Sequence, residues 1–177
     1  MIQKQIEKSI NLPIFFYELI LDISKEKDYL ISEIEKGINE NSNLNYITNV
    51  VGKMTSWNYF KNNKTFIEVL DRGITEIEQN INLPYCFLEE AWGIKVSQKD
   101  YTKEHSHGTS TYSGILYLNE DNIPILFPQL NLEIFPQKGT FLLFSSCLTH
   151  KTKKHISSIS KYAIPFNFKE VIQWTKQ

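Results

Sequence analysis

The chain has 177 residues, 41% of them hydrophobic and 13% aromatic, enough to bury one substantial core in one domain. Its formal net charge of −1 excludes bulk attraction to polyanions, so duplex DNA or an anionic membrane would need a local basic patch that the balance does not predict. The two cysteines, Cys86 and Cys147, lie far apart without metal-ligand spacing and do not suggest a disulfide framework, which suits a reducing cytosol.

The first apolar run, Ile14 to Leu21, is too short to span a bilayer and is broken by Glu18. The lysines before it lack the small-residue cleavage pattern of a signal peptide. A soluble, unexported, cytoplasmic protein is expected, and Pro13–Leu21 reads as a strand. From Ser24 to Ile38, the residues Leu30, Ile31, Ile34 and Ile38 recur at helical intervals. Ser24 is placed to cap this helix, with Glu26 and Asp28 favourable in its first turn. Tyr46–Ser56 is strand-like. A second helix is predicted from Asn63 to Asn80, with Phe66, Val69, Leu70, Ile74 and Ile77 as its stripe. Thr65 and Glu68 suggest a capping box there, while Gly73 is a poor helix former.

Tyr85–Val96 reads as another strand, and after Asp100 the helical period stops. Short strands are predicted at Ser113–Leu118, Ile123–Phe127, Leu132–Phe135, Thr140–Phe144 and Tyr162–Phe168. Turn signals at Asn119–Asn122, Pro128 and Lys138-Gly139 separate them. Many short strands at close spacing point to an antiparallel barrel or sandwich. No repeat, low-complexity tract or linker divides the chain. One α+β, mainly β domain is expected over residues 1–177, helix-rich over 1–84 and strand-rich over 85–177.

All four histidines fall between residues 105 and 155. His105 and His107 are two apart, so on a strand both imidazoles face one side. His150 follows the strand Thr140–Phe144. Imidazole is the commonest ligand for first-row divalent metals, and an H-x-H pair with a distant third histidine suits a mononuclear site on a β-barrel. Taken alone, H-x-H equally fits two surface or hydrogen-bonding histidines. His155, amid Lys151, Lys153 and Lys154, reads as solvated, and that basic run is too short to signal nucleic-acid binding. Trp57, Trp92 and Trp174 read as packing residues, Asn167 as structural, and Cys147 as a buried hydrophobe.

Four segments in order resemble the iron(II)/2-oxoglutarate-dependent dioxygenases. These are Asp100–His107 with H-x-H, Ser113-Gly114-Ile115-Leu116-Tyr117-Leu118-Asn119, Phe135–Ser146 leading to His150, and Lys161–Asn167. They lie within Trp92–Phe168, the region over which the resemblance runs. The likeness is strongest to small oxygenases of bacteriophage and marine bacteria, with prolyl-hydroxylase-like enzymes as more distant relatives. It implies a double-stranded β-helix, the jelly-roll or cupin-like fold, with the N-terminal helices supporting it.

The resemblance further implies that His105, His107 and His150 hold Fe(II). 2-Oxoglutarate would chelate the metal by its 2-oxo acid end, with Lys161 and Tyr117 anchoring the far carboxylate and Ser113 adding a hydroxyl. The reaction implied is hydroxylation of an unidentified substrate, with O2 consumed. Two departures stand out. His107 occupies the position where the wider superfamily has a carboxylate ligand, which leaves the bound cation one unit more positive. Lys161 stands where the family usually has arginine, keeping the charge without the bidentate fork. Glu104 neighbours His105 and should face away from the ion. Three histidines with an open position also suit zinc, so a zinc-dependent hydrolase or hydratase is an alternative, as is an inactive jelly-roll module. Tyr101–Tyr112 and Asn119–Gln129 would frame the pocket mouth. The fold class also leaves room for a homodimer through a sheet edge.

Overall fold

The computed structural model describes residues 14–40 and 48–171. The predicted strand starts at Pro13 and Tyr46 and the predicted packing residue Trp174 lie outside them. In chain order the elements are β1 (Phe16–Ile20), α1 (Lys27–Glu40), β2 (Val50–Val51), β3 (Lys53–Met54), α2 (Lys64–Glu78), β4 (Cys86–Ala91) and β5 (Ile94–Val96). They continue with β6 (Tyr101–Thr102), β7 (Tyr112–Tyr117), β8 (Ile125–Phe127), β9 (Leu132–Ile134), β10 (Thr140–Ser145), β11 (Lys151–Thr152) and β12 (Lys161–Glu170). Among the described residues no helix is long and apolar enough to cross a membrane.

The strands form a jelly roll. A seven-stranded antiparallel sheet has the order β1-β10-β7-β12-β5-β3, with β4 also paired to β12. Facing it are a three-stranded sheet, β11-β8-β9, and a two-stranded one, β2-β6. An isolated antiparallel bridge between His105 and His150 joins these two pieces.

The large sheet is covered on both faces, which explains why its strands are nearly continuously apolar. One face packs against the helices: Leu116, Phe141, Leu143, Ile164 and Phe166 meet Leu30, Ile34, Phe66, Val69 and Ile77. The alternate residues Ile115, Tyr117, Leu142, Phe144 and Ala163 face Ile125, Phe127 and Ile134 of the small sheet. The period of two therefore sorts each strand between a helix-facing core and a site-facing core.

Three local details differ from expectation. The predicted strand Tyr85–Val96 is broken at Trp92-Gly93, because Thr55 takes over both backbone groups of Gly93. The Thr55 N–H donates to the Gly93 carbonyl at 3.0 Å, and the Gly93 N–H donates to Thr55 Oγ1 at 2.9 Å. The α2 cap is Asn63 rather than the Thr65–Glu68 box, since Asn63 Oδ1 accepts the Phe66 N–H at 3.0 Å. Likewise Ser24 lies in a turn before α1, which begins at Lys27.

Gly114 sits in the centre of the large sheet. A Cβ there would lie 2.2 Å from the Phe166 ring and 2.7 Å from the Leu142 carbonyl oxygen. Gly114→Ala is accordingly expected to destabilise the protein by about 1–3 kcal/mol through overpacking. A urea titration checks this: a midpoint unchanged from the parent would show that the sheet yields at this point.

Candidate metal centre

The three histidines of the predicted set converge between the two sheets. Each is fixed through its backbone. His105 and His150 exchange hydrogen bonds, N–H to O, at 3.2 and 2.9 Å, and the His107 N–H donates to the Ser146 carbonyl at 2.9 Å. One nitrogen from each ring lies within 4.8 Å of the others. The His105 and His150 ring centroids are 4.3 Å apart.

Hydrogen bonding sets which nitrogens are free. His105 Nδ1 faces the Lys103 carbonyl at 2.8 Å, and His150 Nδ1 faces the Leu148 carbonyl at 3.4 Å. A carbonyl only accepts, so both Nδ1 atoms carry the proton and both Nε2 lone pairs are available. The acceptor in each case is the residue two before the histidine, so one local backbone shape serves both. His107 is held differently: its Nδ1 lies 3.4 Å from the Asn167 amide nitrogen, which also donates to Glu90 Oε1 at 2.7 Å.

Burial keeps the cluster neutral. His150 is pushed down to about 3 by burial, with His105 and His107 adding to the effect, and His107 to about 4 by burial and then by His105. Burial also lowers His105, against its hydrogen bond to Lys103. Neutral imidazoles are the form that binds a metal. Three such donors around one point fit a single first-row divalent ion.

The histidines open onto a narrow cavity between the sheets. Trp92, Ile94, Ile115, Ile125, Phe144 and Pro165 make the apolar wall, while Ser113, Tyr117, Lys161 and Asn167 supply the polar groups. Lys161 is 3% exposed. Its ammonium lies 5.8 Å from the centre of the Tyr117 ring and 2.9 Å from Asp121 Oδ2. Burial raises the Tyr117 phenol well above its ordinary value, so its hydroxyl stays protonated. Ser113 shares the strand face of Tyr117, but its hydroxyl proton is committed to Asn167 Oδ1 at 2.7 Å. Asn167 thus links Ser113, Glu90 and His107 and is more than a strand-closing residue.

No family model and no curated protein matches the sequence. Solved structures do resemble it. One is a viral collagen prolyl hydroxylase from Paramecium bursaria Chlorella virus-1 in its 2-oxoglutarate complex. It is 16% identical, with a TM-score of 0.66 over 88% of this chain and 96% of that one. A prolyl-4-hydroxylase from Pseudomonas putida is 15% identical, with a TM-score of 0.65 over 88% and 92%. HygX from Streptomyces hygroscopicus, solved with nickel and 2-oxoglutarate, is 12% identical, with a TM-score of 0.62 over 88% and 82%. The chain has the 2-oxoglutarate/Fe(II) oxygenase fold.

Within this oxygenase fold several residues stand apart from their sequence reading. His155 is buried, not solvated: its Nε2 donates to the Ile159 carbonyl at 2.7 Å, and its Nδ1 lies 3.3 Å from Asp121 Oδ1. The lysines around it misled because its backbone is stitched to residues 99 and 100 across the chain. Cys147 is exposed rather than buried, and both cysteines are free thiols. Glu104 lies outside the three-histidine cluster and pairs with Lys151 at 2.6 Å. Asp121 was legible only as a turn residue, yet it is the partner of Lys161.

Proposed function

We propose that the protein is an Fe(II)- and 2-oxoglutarate-dependent dioxygenase that hydroxylates its substrate. One observation carries this reading: a single cavity holds three neutral imidazoles and, elsewhere in its lining, a buried ammonium beside a protonated phenol. 2-Oxoglutarate is a dianion with a metal-chelating 2-oxo acid at one end and a free carboxylate at the other. The cavity offers a complementary group for each. Prolyl hydroxylases among the structures of like fold support hydroxylation as the reaction class.

In this reading His105, His107 and His150 hold the iron, and Lys161 with Tyr117 binds the far carboxylate. Ser113 spends its hydroxyl proton on Asn167, and because 2-oxoglutarate is acceptor-only, Ser113 positions Asn167 and makes no hydrogen bond to the far carboxylate. When bound, iron(II) supplies the redox chemistry with O2 and 2-oxoglutarate, which the protein's own side chains cannot perform. The apolar wall excludes water, which strengthens the charge interactions inside. The substrate would approach past Val50, Thr102, Lys151 and Thr152, which also line the cavity.

The test is an anaerobic titration with Fe(II) and then 2-oxoglutarate, followed by visible absorbance. A charge-transfer band requiring both additions is expected. Lys161→Ala should weaken 2-oxoglutarate binding by about 10-fold or more while sparing iron affinity, as for a lost charge-assisted contact. Iron binding with no band on adding 2-oxoglutarate would sink this reading.

A further inference from the structure

Lys161 is a flexible arm in a position that calls for a fixed cation. A lysine brings four rotatable carbons and a point charge, whereas an arginine fork is planar and self-orienting. A buried ammonium also needs a counter-charge before any ligand arrives. Asp121 supplies one, at 2.9 Å from the Lys161 Nζ, with both side chains almost wholly buried.

Asp121 is itself rigidly built in. Its Oδ1 accepts the Ile123 N–H at 3.0 Å, and its own N–H donates to the Pro136 carbonyl at 3.0 Å. His155 backs the same oxygen at 3.3 Å. The Lys161–Asp121 contact is an ion pair without a well-aligned hydrogen bond, and Asp121 Oδ2 has no other polar partner. Asp121 does not line the metal cavity. With His155 it borders a separate cavity formed with Lys27, Asn119 and Glu120. The ammonium is therefore presented to the metal cavity from a carboxylate that stays outside it.

We propose that Asp121, backed by His155, is a positioning residue that fixes the Lys161 ammonium for the far carboxylate of the dicarboxylate co-substrate. It gives a lysine the preorganisation that an arginine has unaided. The inference rests on the 2-oxoglutarate reading above. It also has a definite sign. If Asp121 merely competed for the ammonium, removing its charge would tighten dicarboxylate binding. As a positioning residue, its removal weakens binding.

Calorimetric titration of the nickel-loaded protein with 2-oxoglutarate decides between these. Asp121→Asn is expected to weaken 2-oxoglutarate about tenfold, the scale of one hydrogen bond to a charged group, with nickel affinity unchanged. In a Lys161→Arg background the same substitution should cost no more than about threefold, because the guanidinium keeps its charge and geometry unaided. Unchanged or tighter binding in Asp121→Asn overturns the inference, and so does an equal loss in both backgrounds. If nickel affinity also falls, Asp121→Asn is misfolded. Asp121→Glu then carries the test, with a smaller loss of 2-oxoglutarate affinity expected and no loss counting against it. Failure of the unsubstituted protein to bind 2-oxoglutarate overturns the oxygenase reading and this inference together, whereas binding that is indifferent to Asp121 overturns this inference alone.

Discussion

His150→Ala is expected to lower divalent-metal affinity by two orders of magnitude or more, roughly beyond the 10–100-fold typical of residues that only support a ligand. In the proposed site His150 is one of the three candidate donors and the most buried of them, at 5% exposure. Its backbone pairing with His105 uses main-chain atoms alone, so the strand bridge survives the substitution. The loss should therefore fall on the metal and not on the fold. His155→Ala is the control, because His155 lies outside the three-histidine cluster and faces Asp121 instead. Titration of each metal-free variant with nickel or iron(II) checks the contrast. Equal losses in the two variants would remove His150 from the metal site.

That contrast also marks where the sequence was legible. β7, β10 and β12 were legible as short apolar runs bounded by turn residues, the pattern expected where both sheet faces are buried, and they emerge within a residue or two of expectation. The amphipathic stripes of α1 and α2 are equally plain, with Leu30, Ile34 and Ile38 buried in one and Phe66, Val69 and Ile77 in the other. The H-x-H spacing and the distant His150 could be read from sequence order. Their meeting depends on β6 and β11, two-residue strands that no periodicity can reveal. The environment of Lys161 was hidden for a related reason. Its counter-charge comes from a polar turn that looks solvent-exposed in sequence, while the long-range pairing of Asp121 with Pro136 draws that turn inward.

Burial of His107 and His150 makes the centre sensitive to acid. The metal-free protein is expected to lose stability as pH falls from about 6.5 toward 4, by an amount on the order of a few kcal/mol. In the folded chain His107 is pushed down to about 4 and His150 to about 3, both chiefly by burial. In the unfolded chain they titrate near an ordinary histidine value of about 6.5. Between those limits the unfolded state binds more protons, so acid favours it. The stabilisation is complete above the unfolded value and is lost as pH falls toward the folded ones. Carboxylates add their own effect only near and below about pH 4.5, which leaves the interval from 6.5 to 5 to the histidines. A bound metal ion should deepen stability above this interval by mass action and be released within it, because protons compete for the same lone pairs. Urea titrations of the metal-free protein at pH 7.5, 6.5, 5.5 and 5 would measure the slope, and His150→Leu should flatten it. A flat profile in the parent protein would mean that these imidazoles are not held neutral by burial, and the case for a site preformed to receive a metal would weaken with it.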